Sequence, residues 1–134
     1  MSAEKVIYAL LQGLVAGRVY PIERPQQTSA TGAAAALPAL TYVTVSEQQI
    51  SRLAKVPGPN RYRARMQIDG FAVGYAASKT LQDNVRNALH LQSGTVAGVV
   101  VQVITVDSVR DMGRDPGTDL HQVQLDAIVE YWRT

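Results

Sequence analysis

The sequence predicts an α+β fold, in which a single mixed, mostly antiparallel sheet of about four main strands packs against two or more helices on one face. Apolar and polar residues alternate over 61–72, which indicates a strand with one buried face. Apolar residues then recur at every fourth position over 77–89, which indicates an amphipathic helix. The strand patterns at 97–110 and 120–132 are joined by turn residues without a helical crossover, which favours antiparallel pairing.

Length and composition limit the classes of protein. A chain of 134 residues has the size of one domain, so we expect 1–134 to form a single domain. The absence of cysteine excludes a disulfide framework, a thiolate zinc site and a cysteine nucleophile. A net charge of +2 is too small to indicate a dedicated nucleic-acid binder. No apolar run approaches the ~20 residues of a membrane span, and the first residues lack the basic leader of a signal peptide.

Three segments precede the first long strand. Apolar residues at helical spacing predict a helix over about 3–15, which Gly17 ends. Pro21 and Pro25 bracket a segment that suits a sheet edge or a connector, because proline lacks a backbone donor. An irregular loop is predicted at about 27–40. It forms either a surface loop or an arm that becomes ordered on a neighbouring subunit.

The remaining chain is predicted to alternate strands with one helix. The strand at 61–72 turns one set of side chains to the core, namely Tyr62, Ala64, Met66 and Ile68. The helix contributes an apolar stripe to the same core, namely Ala77, Leu81, Val85, Ala88 and Leu89. The four strands are predicted at 41–46, 61–72, 97–110 and 120–132. The predicted connections are a polar, partly helical turn over 47–56, a Pro-Gly-Pro-Asn turn at 57–60 and a turn-rich segment at 110–117.

The sequence contains no convincing catalytic, cofactor-binding or metal-ligating set. His90 and His121 stand alone, without the spacing of a metal motif, and are best interpreted as surface residues. Four aspartates follow one another at intervals of four in and after the third strand, at positions 107, 111, 115 and 119. They could form a weak cation site, but an ordinary solvated loop is the favoured interpretation.

The polar faces of two strands form the candidate functional surface. One set lies on the strand at 61–72: Arg61, Arg63, Arg65, Gln67, Asp69 and Phe71. The other lies on the last strand: Gln122, Gln124, Asp126 and Trp132. If the two strands are neighbours, arginines on one face the acidic residues of the other, including Glu130, and the pairs stabilise the sheet. Alternatively, this wet face lines a channel or contacts another subunit, because a two-layer domain needs only one sheet face for its own core.

The order of several short motifs resembles the tail completion, or tail terminator, family of tailed bacteriophages and prophages. The first motif is Gly-Arg-Val-Tyr-Pro at 17–21, followed by Pro25 and Gln26. The second is the strand with Tyr42, Val43 and Ser46. The third comprises Arg65, Gln67, Ile68, Asp69, Tyr75, Val85, Arg86, Ala88 and Leu89. Two features depart from the family pattern: the stretch at 28–40 is longer and richer in alanine, and Phe71 occupies a position often held by tryptophan.

This resemblance implies a structural protein of the virion tail and not an enzyme. Family members assemble in the host cytoplasm into a ring, commonly a hexamer, on the last ring of the tail tube. The ring stops tube polymerisation and presents the surface for head-to-tail joining. The implied partners are therefore other copies of this chain, the tail tube protein and the head connector protein. DNA would pass through the lumen without specific binding, and no membrane or cofactor is involved.

Two other classes of protein remain as alternatives. A small nucleic-acid-binding module would use the strand from Arg61 to Arg65 with Tyr62 as its platform. The aromatic content of 6% is low for base stacking, and Tyr62 falls on the apolar side of the strand. A small-molecule-binding or catalytic domain would need convergent polar groups in a pocket, and the sequence offers no such set.

Overall fold

The computed structural model describes residues 2–14, 19–21, 39–50, 60–114 and 120–133. These ranges contain two α-helices, a short 3-10 turn and six strands. The elements in chain order are α1 (Ser2–Leu11), the 3-10 turn (Gln12–Leu14), β1 (Val19–Pro21), β2 (Ala39–Gln49), β3 (Asn60–Ala72), α2 (Tyr75–Leu89), β4 (Gly94–Val96), β5 (Val99–Arg114) and β6 (His121–Arg133).

The strands form one sheet in the order β1-β2-β3-β6-β5-β4. The pair β1–β2 is parallel and all the other pairs are antiparallel, so the sheet is mixed but mostly antiparallel, as predicted. Four strands are long, and the two edge strands, β1 and β4, have only three residues each. The structure therefore confirms the α+β fold and places Val19–Pro21 at one edge of the sheet, whereas the predicted edge or connector segment between Pro21 and Pro25 lies, after Pro21, outside the described residues.

Several predicted element boundaries are wrong because β-bulges and pairing extend the strands. β2 continues through Glu47–Gln49, where a turn was predicted, since these residues pair with β3 across a bulge at Val45. The strand predicted at 97–110 corresponds to β5, which begins two residues later because Ala97 and Gly98, both with positive φ, form the turn that joins β4 to β5. β5 then runs to Arg114 through the predicted turn region, because β6 supplies hydrogen-bonding partners that no local pattern reveals.

Both helices pack on one face of the sheet. Val6, Ile7 and Leu11 of α1 join the same buried cluster as Met66 and Ile68 of β3. α2 adds Leu81, Val85 and Leu89 to this cluster, which also receives the alternate residues of β6 from Leu125 to Tyr131. The cluster forms because the period-two pattern of the strands and the helical stripes bury their apolar sides together.

The buried stripe of α2 differs from the predicted one at its beginning. Ala77 is exposed, whereas Ser78 and Gln82 are buried beside Leu81. The Ser78 hydroxyl donates to the carbonyl of Tyr75 over 2.7 Å. The side-chain amide of Gln82 donates to the carbonyl of Arg110 over 3.3 Å. These bonds satisfy the buried polar groups, so the helix can turn polar residues towards the sheet.

Gly70 lets α2 approach β3 closely. A Cβ atom at this position would lie 3.0 Å from Val123 Cγ2, 3.1 Å from Leu81 Cδ2 and 3.3 Å from Leu40 Cδ2. Three neighbouring elements therefore meet at a point where the sheet has no side chain. The glycine is required by packing and not by an unusual backbone angle.

Some predicted features lie outside the described residues. These are the loop at 27–40 except its last two residues, which belong to β2, the helical turn at 51–56, most of the turn at 57–60, and the aspartates at 115 and 119.

Candidate functional site

The predicted surface residues lie on neighbouring strands, directly opposite one another. We call the sheet face opposite α1 and α2 the open face, and the polar side chains of β3 and β6 form its centre. The register pairs Arg61 with Trp132, Arg63 with Glu130, Arg65 with Ile128, Gln67 with Asp126, Asp69 with Gln124, and Phe71 with Gln122. All ten residues proposed from the sequence are therefore collected on one surface.

Two arginines of this surface, Arg63 and Arg65, are paired with carboxylates. Nε and Nη2 of Arg63 donate to Glu130 Oε1 over 3.1 and 2.7 Å. Arg65 Nη1 donates to Asp107 Oδ2 over 3.3 Å. Cross-strand pairs of this kind hold the side chains in place and contribute modestly to stability, by roughly 0.2–1 kcal/mol each. They also leave less positive charge available for an external anion.

A third ion pair joins β5 to β6. Arg110 Nη2 lies 3.2 Å from Asp126 Oδ2, and the hydroxyl of Ser108 donates to the same oxygen over 2.9 Å. Among the described residues, the open face thus carries four arginines (61, 63, 65 and 110) and four carboxylates (69, 107, 126 and 130). Its formal charges balance, although the whole chain is slightly basic.

Asp69 differs from the other carboxylates because amides surround it instead of a cation. Gln124 Nε2 and Gln122 Nε2 donate to its Oδ1 over 3.0 and 3.3 Å, and Gln67 Nε2 donates to its Oδ2 over 3.2 Å. All four side chains are half-buried. Three amide dipoles thus hold one carboxylate in a fixed position on the open face.

Apolar side chains flank the charged centre at one end. Trp132 lies opposite Arg61 on β3 and opposite Val100 on β5. The Trp132 side chain is 37% exposed and Val100 is 50% exposed. Arg61 Nε is buried and has no hydrogen-bond partner. An exposed aromatic and valine beside an incompletely satisfied arginine are typical of a surface that contacts another protein.

The geometry does not favour a nucleic-acid platform. Tyr62 lies on the helix-covered side of the sheet, where its ring stacks on Tyr131 with centroids 5.8 Å apart. A shallow cleft of about 150 Å³ does lie between Arg63 and Arg65 and is also lined by Ser46, Gln48 and Ile128. Because both arginines already bind carboxylates, a phosphate would have to displace Glu130 and Asp107.

Sequence reasoning missed the contribution of β5. Asp107, Ser108 and Arg110 belong to the open face, although the alternation of β5 does not indicate this. The register with β6 shifts three times along the strand, between Val101 and Val103, between Val106 and Ser108, and between Asp111 and Gly113. Each shift changes which face the following residues occupy, and the sequence signal that marks one is Gly113 with its φ of 80°.

The histidines and the described aspartates of the predicted metal candidates each contact another part of the chain. His90 Nδ1 accepts a hydrogen bond from the backbone of Val106 over 3.2 Å, and the His121 ring meets Tyr75 edge-on at 6.1 Å. Among the described residues no cluster of histidine and acidic side chains has a geometry suited to a metal ion. Asp107 and Asp111 instead bind Arg65 and Lys79, respectively. The helices in this part of the chain include none long and apolar enough to span a membrane.

A second cavity lies on the opposite side of the sheet. It measures about 370 Å³ and is lined by Glu4, Lys5 and Tyr8 of α1 and by Tyr42 of β2. Burial raises the pKa of Tyr42, and the nearby Glu4 and Tyr8 raise it further. The Glu4 carboxylate accepts a hydrogen bond from Thr44 over 3.1 Å, which ties α1 to β2 at this position.

Comparisons with known proteins agree with this architecture. The profile of the family described as tail completion protein gp17 matches residues 5–130. No curated protein matches the chain. A chain of a solved structure described as the virion of a native gene transfer agent particle is 15% identical. It superimposes with a TM-score of 0.61 over 98% of this chain and 97% of that chain.

A second solved structure is also 15% identical, with a TM-score of 0.60 over 98% of this chain and 92% of that chain. Similarity at this level of identity shows a shared fold. The family match, in contrast, extends over nearly the whole chain, including most of α1 and β6 and all of β2, β3 and β5. The chain therefore belongs to the tail completion protein gp17 family and is a structural protein of a phage-like virion tail.

Proposed function

We propose that the protein terminates the tail. Copies of the chain assemble into a closed ring, a hexamer, on the last ring of the tail tube. The ring stops polymerisation of the tube protein and offers its other surface to the head connector protein. The protein acts as a structural component that joins tail and head, and not as an enzyme. It assembles in the host cytoplasm and becomes part of the virion tail.

The observation that carries this proposal is the charge-balanced open face. A sheet covered by helices on one side has a second face that must be solvated or used by another molecule. Here that face is ordered by three ion pairs and by the amides around Asp69. Such a surface suits the lining of a ring through which DNA moves, because few arginines are free to hold phosphates. We assign the ten predicted residues to this lumen or to the contact between subunits.

The alternative proposal, a nucleic-acid-binding module, has one observation in its favour. Arg63 and Arg65 flank a cleft on the open face, and a phosphate oxygen could replace a carboxylate there. This alternative requires tight binding that weakens steeply with salt. The terminator proposal requires only weak binding to DNA.

Assembly and tube length test the two proposals. Light scattering over a concentration series, with negative-stain images, would reveal closed rings of about six chain masses. Tail tube protein polymerised with this chain should give capped tubes of limited length, whereas tubes formed without it should grow longer. Unlimited tubes in its presence, together with tight and salt-sensitive DNA binding, would overturn the terminator proposal in favour of the alternative.

A further inference from the structure

The two edges of the sheet are only partly covered. β1 pairs with Leu40–Tyr42 of β2, and no other described residue pairs with the outer edge of β2, which leaves 43–49 open. On the other side, β4 pairs with Val99–Val101 of β5. The turn after α2 then binds Ile104 through two backbone hydrogen bonds, and His90 binds the backbone of Val106. In the described part of the chain, the outer edge of 107–113 has no strand partner.

These open edges lie at diagonally opposite corners of the sheet. The open part of β2 lies beside the first half of β3, since Val43 pairs with Gln67 and Gln49 pairs with Tyr62. The open part of β5 lies level with the second half of β3, because Arg110 pairs with Gln124, which pairs with Asp69. β1 and β4 occupy the remaining two corners. One copy can therefore join the next without displacing either short strand.

We propose that neighbouring copies join edge to edge, with 107–113 of one copy pairing with 43–49 of the next. The inference rests on the proposed ring and identifies its subunit contact. The directions are compatible: β2 and β5 run in opposite senses, since three antiparallel pairings separate them. Copies in the same orientation would therefore extend the sheet by an antiparallel pairing. Because the two edges differ, the contact is heterologous, as a closed ring requires.

Charges select one register for this pairing. The two faces of the joined sheet stay continuous only if the open-face residues Ser46 and Gln48 meet open-face residues of β5. Pairing Ser46 with Arg110 brings Glu47 opposite Val109. A shift of two residues in either direction would bring Glu47 opposite Asp107 or Asp111, where like charges repel. The favoured register therefore places Gln48 opposite Ser108.

This register is compatible with a closed ring. In this register, Arg65 of one copy lies at the same height along the strands as Asp69 of the preceding copy. Each copy is therefore shifted by about four residues relative to its neighbour across a width of four long strands. At ordinary strand spacings this stagger corresponds to a strand tilt of roughly 35°, within the range of closed β-structures. The helices would then lie outside and the open face inside. The bulges and charges along both edges discourage pairing in other registers.

Cysteine cross-linking tests the contact, because the chain has no cysteine of its own. Gln48→Cys and Ser108→Cys are introduced in separate preparations, which are mixed and mildly oxidised. A disulfide-linked dimer is expected in the mixture, and the double variant should give covalent rings. Glu47→Cys mixed with Ser108→Cys is the matched control. Its side chains lie on opposite sheet faces, so it should not cross-link.

Lysine substitutions provide a second measurement. Val45→Lys and Val109→Lys charge the two open edges, and each should abolish the ring in light scattering. Val73→Lys is the matched control, because Val73 is 51% exposed, close to the 55% of Val45, but lies after the end of β3. Circular dichroism should show all three variants folded. Loss of the ring in Val73→Lys, or its retention in both edge variants, would overturn the edge contact.

The outcomes separate this inference from the proposed function. Rings that neither cross-link nor respond to the edge lysines would refute the edge contact and leave the terminator function standing. A chain that stays monomeric at every concentration would also refute the edge contact, because isolated copies would then not pair. The tube-length assay would then judge the function independently.

Discussion

Arg63 and Glu130 face each other across β3 and β6, and two guanidinium nitrogens of the arginine donate to one carboxylate oxygen. The glutamate side chain is 15% exposed and that of the arginine 44%. The glutamate is therefore largely shielded from solvent, whereas the arginine is more exposed. This arrangement explains how an arginine-rich strand can present a surface with little free positive charge.

The first prediction concerns the strength of this pair. A double-mutant cycle with Arg63→Gln and Glu130→Gln should give a coupling free energy of about 0.5 kcal/mol, since half-exposed cross-strand pairs fall in this range. Urea unfolding of the four proteins would measure it. A cycle between Arg86 and Glu130, which lie on opposite sides of the sheet, serves as the control and should give no coupling. Equal values in the two cycles would show that the contact has no specific effect.

The second prediction concerns DNA. Glu130→Gln frees Arg63 from its partner and should strengthen the binding of the chain to duplex DNA by several-fold at low salt, an effect that added salt removes. Asp83→Asn changes the net charge equally but lies exposed on α2, and it should leave the affinity near that of the unmodified chain. Fluorescence anisotropy at two salt concentrations makes the comparison. Equal gains in both variants would indicate a general charge effect and not release of an arginine.

The third prediction concerns the close packing at Gly70. Gly70→Val should destabilise the chain by about 2 kcal/mol or more, because its side chain would collide with Val123, Leu81 and Leu40. Gly13→Val is the comparison, since a Cβ atom there would meet nothing within 4 Å. Thermal and urea unfolding would report the difference. If Gly70→Val unfolds at the same urea concentration as the unmodified chain, the close approach of α2 to β3 is not rigid.

The fourth prediction concerns the pKa of Asp111. The backbone N–H of Gly113 donates to its carboxylate over 3.0 Å, and this bond, with a smaller effect of Lys79, lowers the pKa below its ordinary value. A carboxylate whose pKa is lower in the folded state stabilises the fold above its unfolded pKa. That contribution is lost as pH falls through the folded pKa. NMR titration of the aspartates should therefore find Asp111 among the more acidic.

Substitution of Lys79 separates the two causes. Lys79→Gln should raise the pKa of Asp111 only partly, since the bond from Gly113 remains. If Lys79→Gln restored the ordinary pKa in full, the lysine and not the backbone bond would be the main cause. Asp111→Asn should correspondingly reduce the dependence of stability on pH in the acidic range.

The sequence predicted the parts of the fold whose patterns are unbroken. β3 alternates without interruption from Arg61 to Asp69, so both its position and its two faces follow from the residues. β6 alternates in the same way except at Ile128, and its polar residues lie opposite those of β3. The sequence therefore placed the polar residues of each strand on one face, and the pairing of β3 with β6 in the structure collected all ten on the same surface. Their assignment to the lumen or to a subunit contact remains a prediction.

The wrong predictions for β5 and α2 have a common physical cause. β5 extends to Arg114 through residues that resemble a turn, because β6 supplies the hydrogen bonds that a turn would otherwise make. Gln82 is buried on α2 for a similar reason: the carbonyl of Arg110 accepts its amide. In both cases the partner is distant in sequence, so local propensity cannot reveal it.

The sequence alone determined the α+β class, the helix-covered side of the sheet and the polar character of the other side, because each depends on a local period of apolar residues. Only the tertiary structure decided which charges meet. Register and bulges brought Asp107 to Arg65 and Arg110 to Asp126, and so converted an apparently basic strand into a balanced surface. Strand order likewise left two edges without a partner among the described residues, at opposite corners of the sheet, since pairing is a relationship between segments that neither segment encodes by itself.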